Sequence, residues 1–440
     1  MSRAGGSAGG RVAYRATLMH CLDEPRAAGA AAVEYLDDGV LLVEDGYVAR
    51  IGEAAALLPA LGATVEVVDY RGKFIVPGLI DCHVHYPQVD MIASYGTQLL
   101  DWLERYAYPA EARFADAAHA ADAADFFIGE LLRNGTTSAL VFATVHAHSV
   151  DAVFAAAARH DLRLLSGKVL MDRDCPAALR DGADGGIAES RELIRRWHGR
   201  GRLGYAITPR FAVTSSDAQL AAAGRLAADF PDVHVHTHLA ENRDEVELVA
   251  RRFPARRSYL DVYRHYGLLR QRAVFAHCLH LDDADRRELA GRGAAIAFCP
   301  SSNLFLGSGL FDLAAARAAG IRVGAGSDVG GGTSLSMLRT LAEAYKVLQL
   351  QGQSLAPWQA LYLGTLGGAR ALHLDDRIGN FAAGREADFV VLDPAATPLT
   401  ARRLGKARDA AEKLFALLML ADDRAVAATY VMGRAAYRAG

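Results

Sequence analysis

The chain has 440 residues, 52% of them hydrophobic and 22% charged, and its 48 Lys plus Arg nearly balance 51 Asp plus Glu for a formal net charge of −3. That balance excludes disorder over most of the length and gives no electrostatic reason to expect nucleic acid or an anionic membrane as partner. The five cysteines (Cys21, Cys82, Cys175, Cys278 and Cys299) are scattered and form no CxxC pair, which excludes a disulfide framework and fits a reducing, cytoplasmic compartment.

Residues 1–10 are rich in Gly, Ser and Ala and lack an apolar core, so they are expected to form a flexible tail and not a signal peptide. Over residues 11–74, short β-like runs such as Val40-Leu41-Leu42-Val43 and Val65-Glu66-Val67-Val68 are punctuated by the turn dipeptide Asp45-Gly46. Between 75 and 375, apolar runs alternate with Ala- and Arg-rich helical stretches. Strands are expected at 74–81, 137–142, 162–170, 203–207, 234–239, 273–278, 294–298 and 321–325. Helices are expected between most of them, for example at 117–132, 189–197, 216–228, 284–290 and 313–319. Eight β/α units in roughly 300 residues is the arithmetic of a TIM barrel. A doubly wound open sheet is the rival, but the first strand carries no Gly-rich nucleotide loop. From 376 to 440 β-like runs return, at 387–392 and 428–432. The prediction is an α/β protein: a TIM (β/α)8 barrel over 75–375, with a small β-sheet domain assembled from 11–74 and 376–440.

Common nucleotide and nucleophile motifs fail. Gly199-Arg-Gly201-Arg-Leu-Gly204 precedes a strand where a dinucleotide fingerprint follows one. Gly5-Gly-Ser7-Ala-Gly9 lies in the tail, and no Gly-Lys is followed by Ser or Thr. The longest uncharged run, 293–311, contains Pro300, Ser301, Ser302 and Asn303, which disfavours a membrane helix.

The carboxyl ends of barrel strands are where such enzymes keep their chemistry. The first expected strand leads into His83-Val-His85, whose side chains fall on one side because a strand alternates with period two. The fifth carries His234-Val-His236-Thr-His238, the sixth ends at His277, and the eighth is followed by Asp328. A lone His in an apolar strand is usually a satisfied core residue, and His234 and His236 are read that way. Imidazoles and a carboxylate at one rim suit Zn²⁺, or iron. Lys168 lies inside its expected strand and not at its end, so a metal-bridging carbamate is not expected and a single metal is. Glu241, three residues beyond His238, can accept and return a proton at the same rim. His146 and His148, after the second strand, are weaker candidates for the mouth. The aromatic segment 86–111 is expected to form either a lid or ring-stacking wall, with Trp102 in it, or a subunit-contact helix.

Pro77-Gly-Leu-Ile-Asp81-Cys-His83-Val-His85 resembles the opening of the metal-dependent amidohydrolase superfamily. His85-Tyr-Pro-Gln88-Val-Asp90-Met91, Leu100-Asp101-Trp102-Leu103-Glu104, Thr208-Pro209-Arg210-Phe211, His236-Thr-His238-Leu-Ala-Glu241-Asn242, the stretch 298–309 and Asp328-Val-Gly-Gly-Gly332-Thr333-Ser334 resemble, more narrowly, the guanine deaminase family. The resemblance runs from about Arg11 to about Pro394. It implies hydrolysis of guanine to xanthine and ammonia, in purine catabolism or salvage. One zinc per chain is implied on His83, His85, His238 and Asp328. Catalytic roles are implied for Glu241 (proton shuttle), Asp328 (proton acceptor) and His277 (polarising the attacking oxygen). Substrate contacts are implied for His85, Gln88, Arg210, Phe211, His238, Glu241 and Asp328, and a homodimer is implied as the assembly. Arg210 supplies only donors, which suits a carbonyl oxygen, and Gln88 offers a donor and an acceptor. Two rivals remain: a related amidohydrolase acting on cytosine, adenine, 8-oxoguanine or a cyclic amide, and an inactive barrel kept for binding.

Overall fold

In the computed structural model, which describes residues 10–25, 30–62, 64–96 and 98–440, the chain changes sheets at Gly78. The Gly78 N–H donates to Asp388 O (2.9 Å), and a Cβ at this position would sit 2.0 Å from Thr137 Oγ1, so only glycine passes here. Before it, Glu66–Pro77 runs in a sheet made from both chain ends. After it begins the barrel.

The barrel strands, in chain order, are β1 (Leu79–His85), β2 (Thr136–Phe142), β3 (Arg163–Gly167), β4 (Leu203–Pro209), β5 (His234–Leu239), β6 (Ala273–His277), β7 (Ala295–Phe298) and β8 (Arg322–Ala325). Each pairs parallel with the next. The ring closes where Asp328 N–H donates to His83 O (2.8 Å) and His85 N–H to Val329 O (2.8 Å). β1, β2, β3 and β4 are buried along their whole length, as strands covered on both faces must be.

Helices fill the crossovers. Ala117–Arg133 starts at Asp116, whose carboxylate accepts from Ala118 N–H, and buries Ala120, Ala124, Phe127, Ile128 and Leu131 on one stripe. Asp217–Asp229 is capped by Ser216, and Arg243–Arg252 by a reciprocal box of Asn242 and Glu245.

The second sheet has seven strands in the order Arg434–Arg438, Val426–Val431, Phe389–Leu392, Glu66–Pro77, Arg11–Cys21, Val33–Glu44 and Tyr47–Glu53. Its core includes Tyr14, Leu18, Leu41, Ile75, Phe381, Phe389 and Tyr430, with the last two rings stacked at 4.4 Å. A buried charge cluster ties this sheet to the amino-terminal end of the barrel. Arg163 Nε donates to Glu386 Oε2 (2.8 Å), Arg202 Nε and NH2 donate to the same oxygen (3.0 and 2.7 Å), and Arg202 also pairs with Asp388.

The sequence reading needs three corrections of extent. Its first strand, 74–81, joins two elements that Gly78 separates, so His83 and His85 lie on β1 itself. Its third strand, 162–170, breaks at Lys168, whose N–H donates to the Tyr205 hydroxyl (3.1 Å) in place of a ladder partner; Val169–Leu170 then resumes pairing with β4. The helix expected at 189–197 begins at Ala183, its first turns hidden by the low propensity of Gly185 and Gly186. The tail expected at 1–10 lies, but for Gly10, outside the described residues.

Candidate active site

His83 and His85 lie two apart on β1, and His238 is the penultimate residue of β5, so all three imidazoles enter one space at the barrel's carboxyl end. Asp328 follows β8 with φ +51°, and His277 closes β6 with φ +71°. Both are in the left-handed region that L residues adopt sparingly and that clusters at functional sites.

His85 Nε2 lies 3.2 Å from the Nε2 atoms of His83 and of His238. Asp328 Oδ1 lies 3.1 Å from His83 Nε2 and 3.3 Å from His85 Nε2. The four ligand atoms all fall within 4.8 Å of one another. The outer nitrogens fix the tautomers. His238 Nδ1 is 2.7 Å from Arg210 O, and a carbonyl only accepts, so Nδ1 carries the hydrogen and the Nε2 lone pair faces the centre. His83 Nδ1 is 2.7 Å from His236 Nε2, and donation in that direction frees the His83 Nε2 lone pair in the same way.

Burial pushes the pKa of His85 down to about 4, lowers that of His83, and holds that of His238 well below its ordinary value, so these are neutral donors. Burial pushes the Asp328 carboxyl up, but the adjacent imidazoles outweigh it and hold it well below the ordinary range. Three neutral imidazoles and one carboxylate fit Zn²⁺. A second grouping, His83, His277, Cys299 and Asp328, is equally close. Burial holds the Cys299 thiol well up, and its S–H faces Ala297 O (3.5 Å), so it is a poor ligand beside the first set. Beneath the site, the Asp81 carboxyl accepts from the N–H groups of Ser327 (2.9 Å) and His83 (3.1 Å) and from the Ser327 hydroxyl, bracing β1 against β8.

Glu241 is buried three residues past His238. The Ser308 hydroxyl donates to its Oε1 (3.0 Å), and its Oε2 lies 3.4 Å from His277 Nε2. Burial, reinforced by the charge of Asp328, pushes the Glu241 pKa up to about 8. His277 Nδ1 is held by Asn303 Oδ1 (2.9 Å), while its buried Nε2 has no hydrogen-bond partner and lies 3.6 Å from Asp328 Oδ2. A carboxyl that holds its proton near neutral pH thus faces an imidazole and an ionised carboxylate across one small space.

That space is a pocket, partly open to solvent, with about 390 Å³ of empty volume. It is lined by His85, His238, Glu241, His277 and Asp328, by Gln88, Arg210 and Phe211, and by the apolar Leu99, Trp102, Leu103 and Leu306. Arg210 NH1 donates to Glu111 Oε2 (2.5 Å), and the guanidinium lies over the Tyr108 ring, 5.2 Å from its centroid.

The site residues implied by the family resemblance all line this pocket except His83, whose Nε2 lies 3.2 Å from that of the lining His85. His146 and His148 stack on each other instead, and His148 Nε2 is 2.7 Å from Phe114 O. Lys168 is buried against Asp181, its Nζ 2.5 Å from Oδ2. Trp102 is buried inside its own chain, with its indole N–H on Ser94 O (3.1 Å), which favours the wall over the subunit-contact reading of 86–111. Sequence reasoning missed the contact of His236 with His83, and gave no role to Glu111. Asn303 and Ser308 fell inside the 298–309 motif, so their signal was available.

The profile of the amidohydrolase family matches residues 74–436. Guanine deaminase of Escherichia coli is 52% identical over 93% of this chain and 93% of its own length. The solved structure of E. coli guanine deaminase superposes with a TM-score of 0.93 at 48% identity, covering 98% of this chain and all of that one. The structure of guanine deaminase from C. acetobutylicum with bound guanine in the active site superposes with a TM-score of 0.88 at 26% identity, covering 97% and 100%.

Proposed function

This chain belongs to the amidohydrolase family, and we propose from that premise how its cavity carries out the hydrolysis of guanine to xanthine and ammonia. The protein is a guanine deaminase, a hydrolase acting on the C–N bond of a cyclic amidine. The observation that supports the residue assignment is that Gln88 and Arg210 line the same pocket as the imidazoles His85, His238 and His277 and the acids Glu241 and Asp328.

His83, His85, His238 and Asp328 would hold one Zn²⁺. When bound there, zinc supplies Lewis acidity, which lowers the pKa of water to about 7 and so provides a nucleophile near neutral pH. The attacking water oxygen forms a bond to C2 of the ring, and the electrons of the C2–N3 double bond move to N3. Asp328 takes a proton from the water. Glu241, protonated near neutral pH by burial, delivers its proton to N3. Its carboxylate then takes the remaining proton of the attacking oxygen and passes it to the exocyclic amine. The C2–N2 bond breaks with its electrons leaving on ammonia as the C2=O bond forms, and the proton taken by Asp328 restores Glu241. His277, anchored by Asn303, faces the attacking oxygen. Phe211 and Trp102 exclude water and offer ring surface to the purine.

The same reading takes the protein as a cytoplasmic homodimer of purine catabolism or salvage, acting on guanine and water without nucleic acid or membrane. The net charge of −3 supports the absence of nucleic acid and membrane as partners, and the five unpaired, buried cysteines support the reducing compartment. It also takes 376–440 with the amino-terminal segment as the sheet domain and the middle of the chain as the barrel, the expected boundary at 74/75 moving to Gly78 because Glu66–Pro77 is a strand of the terminal sheet.

Ammonia release from guanine by purified, zinc-analysed protein tests the assignment, with adenine, cytosine and 8-oxoguanine in parallel. Release from guanine with about one zinc per chain is expected; full metal without guanine turnover would remove Gln88 and Arg210 as purine contacts. Chelation is expected to abolish turnover and lower Tm, both restored by stoichiometric Zn²⁺, because a ligand bound only by the folded state stabilises it. A Tm indifferent to chelation would count against the four-residue site. Trp102→Ala is expected to raise the guanine KM about five- to a hundredfold, the range of one base–aromatic stack, with sedimentation unchanged. Altered sedimentation at an unchanged KM would return 86–111 to a subunit contact.

A further inference from the structure

Glu111 does not line the pocket, yet it is 1% exposed and is, among the described residues, the one group that hydrogen-bonds both polar arms of the proposed purine edge. Its Oε2 accepts from Arg210 NH1 (2.5 Å), and its Oε1 accepts from Gln88 Nε2 (2.8 Å). The other end of the Gln88 amide is fixed as well: Oε1 accepts from Gly330 N–H (3.1 Å). A carboxylate can only accept and a backbone N–H can only donate, so these two partners leave Gln88 a single orientation. Gln88 Oε1 is then turned to Gly330, which uses one of its two lone pairs, and the Nε2 end, with a second N–H to offer, is fixed on the side of Glu111. Arg210 has only N–H groups to offer. The expectation from sequence, that Gln88 offers both a donor and an acceptor, is kept, and the two partners fix which end is which: the Nε2 donor and the Arg210 guanidinium lie together on Glu111.

We propose that Glu111 is the positioning residue that sets substrate specificity: by holding Gln88 Nε2 and the Arg210 guanidinium together it sets two donors side by side, so that this part of the edge accepts a purine presenting two acceptors and rejects one presenting an amino group there. The O6 and N7 atoms of guanine form such an acceptor pair, whereas a 6-aminopurine places an N–H donor beside N7. A donor facing a donor in a buried site leaves both unsatisfied, and discrimination on that ground is far steeper than discrimination by shape. The inference rests on the guanine reading above, and concerns which residue enforces it.

Glu111→Gln is nearly isosteric but turns one acceptor into a donor. Whichever way the new amide lies, one of its two neighbours meets an N–H, and the orientation of Gln88 is no longer dictated. Contacts to the ring that persist from ground state to transition state act on KM, not kcat. The experiment measures guanine KM and kcat, the Ki of 2,6-diaminopurine, and zinc content, for wild type, Glu111→Gln and Glu111→Asp. For Glu111→Gln we expect KM to rise at least about tenfold with kcat within about threefold, zinc retained, and the ratio of Ki to KM to fall at least about tenfold. A smaller shift in the same direction is expected for Glu111→Asp, which keeps the charge beside Arg210 but loses reach. An unchanged KM and an unchanged ratio in folded Glu111→Gln would overturn the proposal and leave Glu111 a structural brace. Should Glu111→Gln fail to fold, the ratio in Glu111→Asp decides the matter by the same criterion. If wild type itself releases no ammonia from guanine, the guanine reading falls and this one with it; normal wild-type turnover with an unmoved ratio sinks this one alone.

Discussion

Glu241→Gln is expected to lower kcat by at least about 10²-fold, the usual contribution of a positioned acid–base group, while zinc content and Tm stay near those of wild type. The amide is close to isosteric and can still accept the Ser308 hydroxyl that now meets Oε1 at 3.0 Å, so the pocket keeps its shape. What it cannot do is give up or take a proton. The loss therefore falls on the step in which N3 and then the amine are protonated, and KM moves little. His277, 3.4 Å from Oε2, is the only imidazole bordering both Glu241 and Asp328 among the described residues, and its ring is anchored to Asn303, so it is poorly placed to substitute as shuttle. Steady-state kinetics with metal analysis of the same sample is the check. Turnover within about threefold of wild type would remove Glu241 from the proton path.

Arg202→Ala has the largest expected effect on stability, about 3–5 kcal/mol, the range seen when one partner of a buried ion pair is removed. Arg202 serves Glu386, Asp388 and the Asp161 carbonyl (2.8 Å) at once, and its side chain is 7% exposed. Without it the Asp388 carboxylate keeps, among the described residues, only the Met432 N–H (3.0 Å). Arg163 still covers one side of Glu386. The measurement is the urea midpoint at constant m-value. Acid should attenuate the difference. Burial pushes the Glu386 carboxyl up, but Arg163 and Arg202 outweigh it and hold it below the ordinary glutamate value. A depressed folded pKa stabilises the fold above the unfolded carboxylate pKa, and that share disappears as pH falls through the folded value. A loss under about 1 kcal/mol at neutral pH would mean the cluster contributes little to holding sheet and barrel together.

The parts of the site readable in the sequence are those written in local spacing. His83 and His85 could be paired because alternation on a strand is a two-residue rule. Asp328 and Glu241 could be attached to the same rim because each follows a strand closely. The parts that escaped are contacts between distant segments. Glu111 is 23 residues from Gln88 and 99 from Arg210, and nothing in Tyr108-Pro-Ala-Glu111 says which way its carboxylate turns. His236 is 153 residues from His83, and its apolar neighbours made it read as core. The fold was legible in its count of β/α units but not in its joints. The run 74–80 is apolar throughout, and only the crowding of Gly78 against Thr137 reveals that two sheets meet there.

The order of strands in the terminal sheet bears on how the protein emerges from the ribosome. Glu66–Pro77 is bonded on one side to Arg11–Cys21, available at once, and on the other to Phe389–Leu392, with Phe389 opposite Pro77 and Leu392 opposite Phe74. At about 5–20 residues per second, that second partner is made on the order of a quarter-minute to a minute later. Throughout that interval Phe74, Ile75 and Val76 present an unpaired apolar edge, the kind that recruits strands from other chains. Nascent chains arrested before residue 389 should therefore be the aggregation-prone species, and the time to completion of the carboxyl-terminal strands sets how long each molecule needs a chaperone.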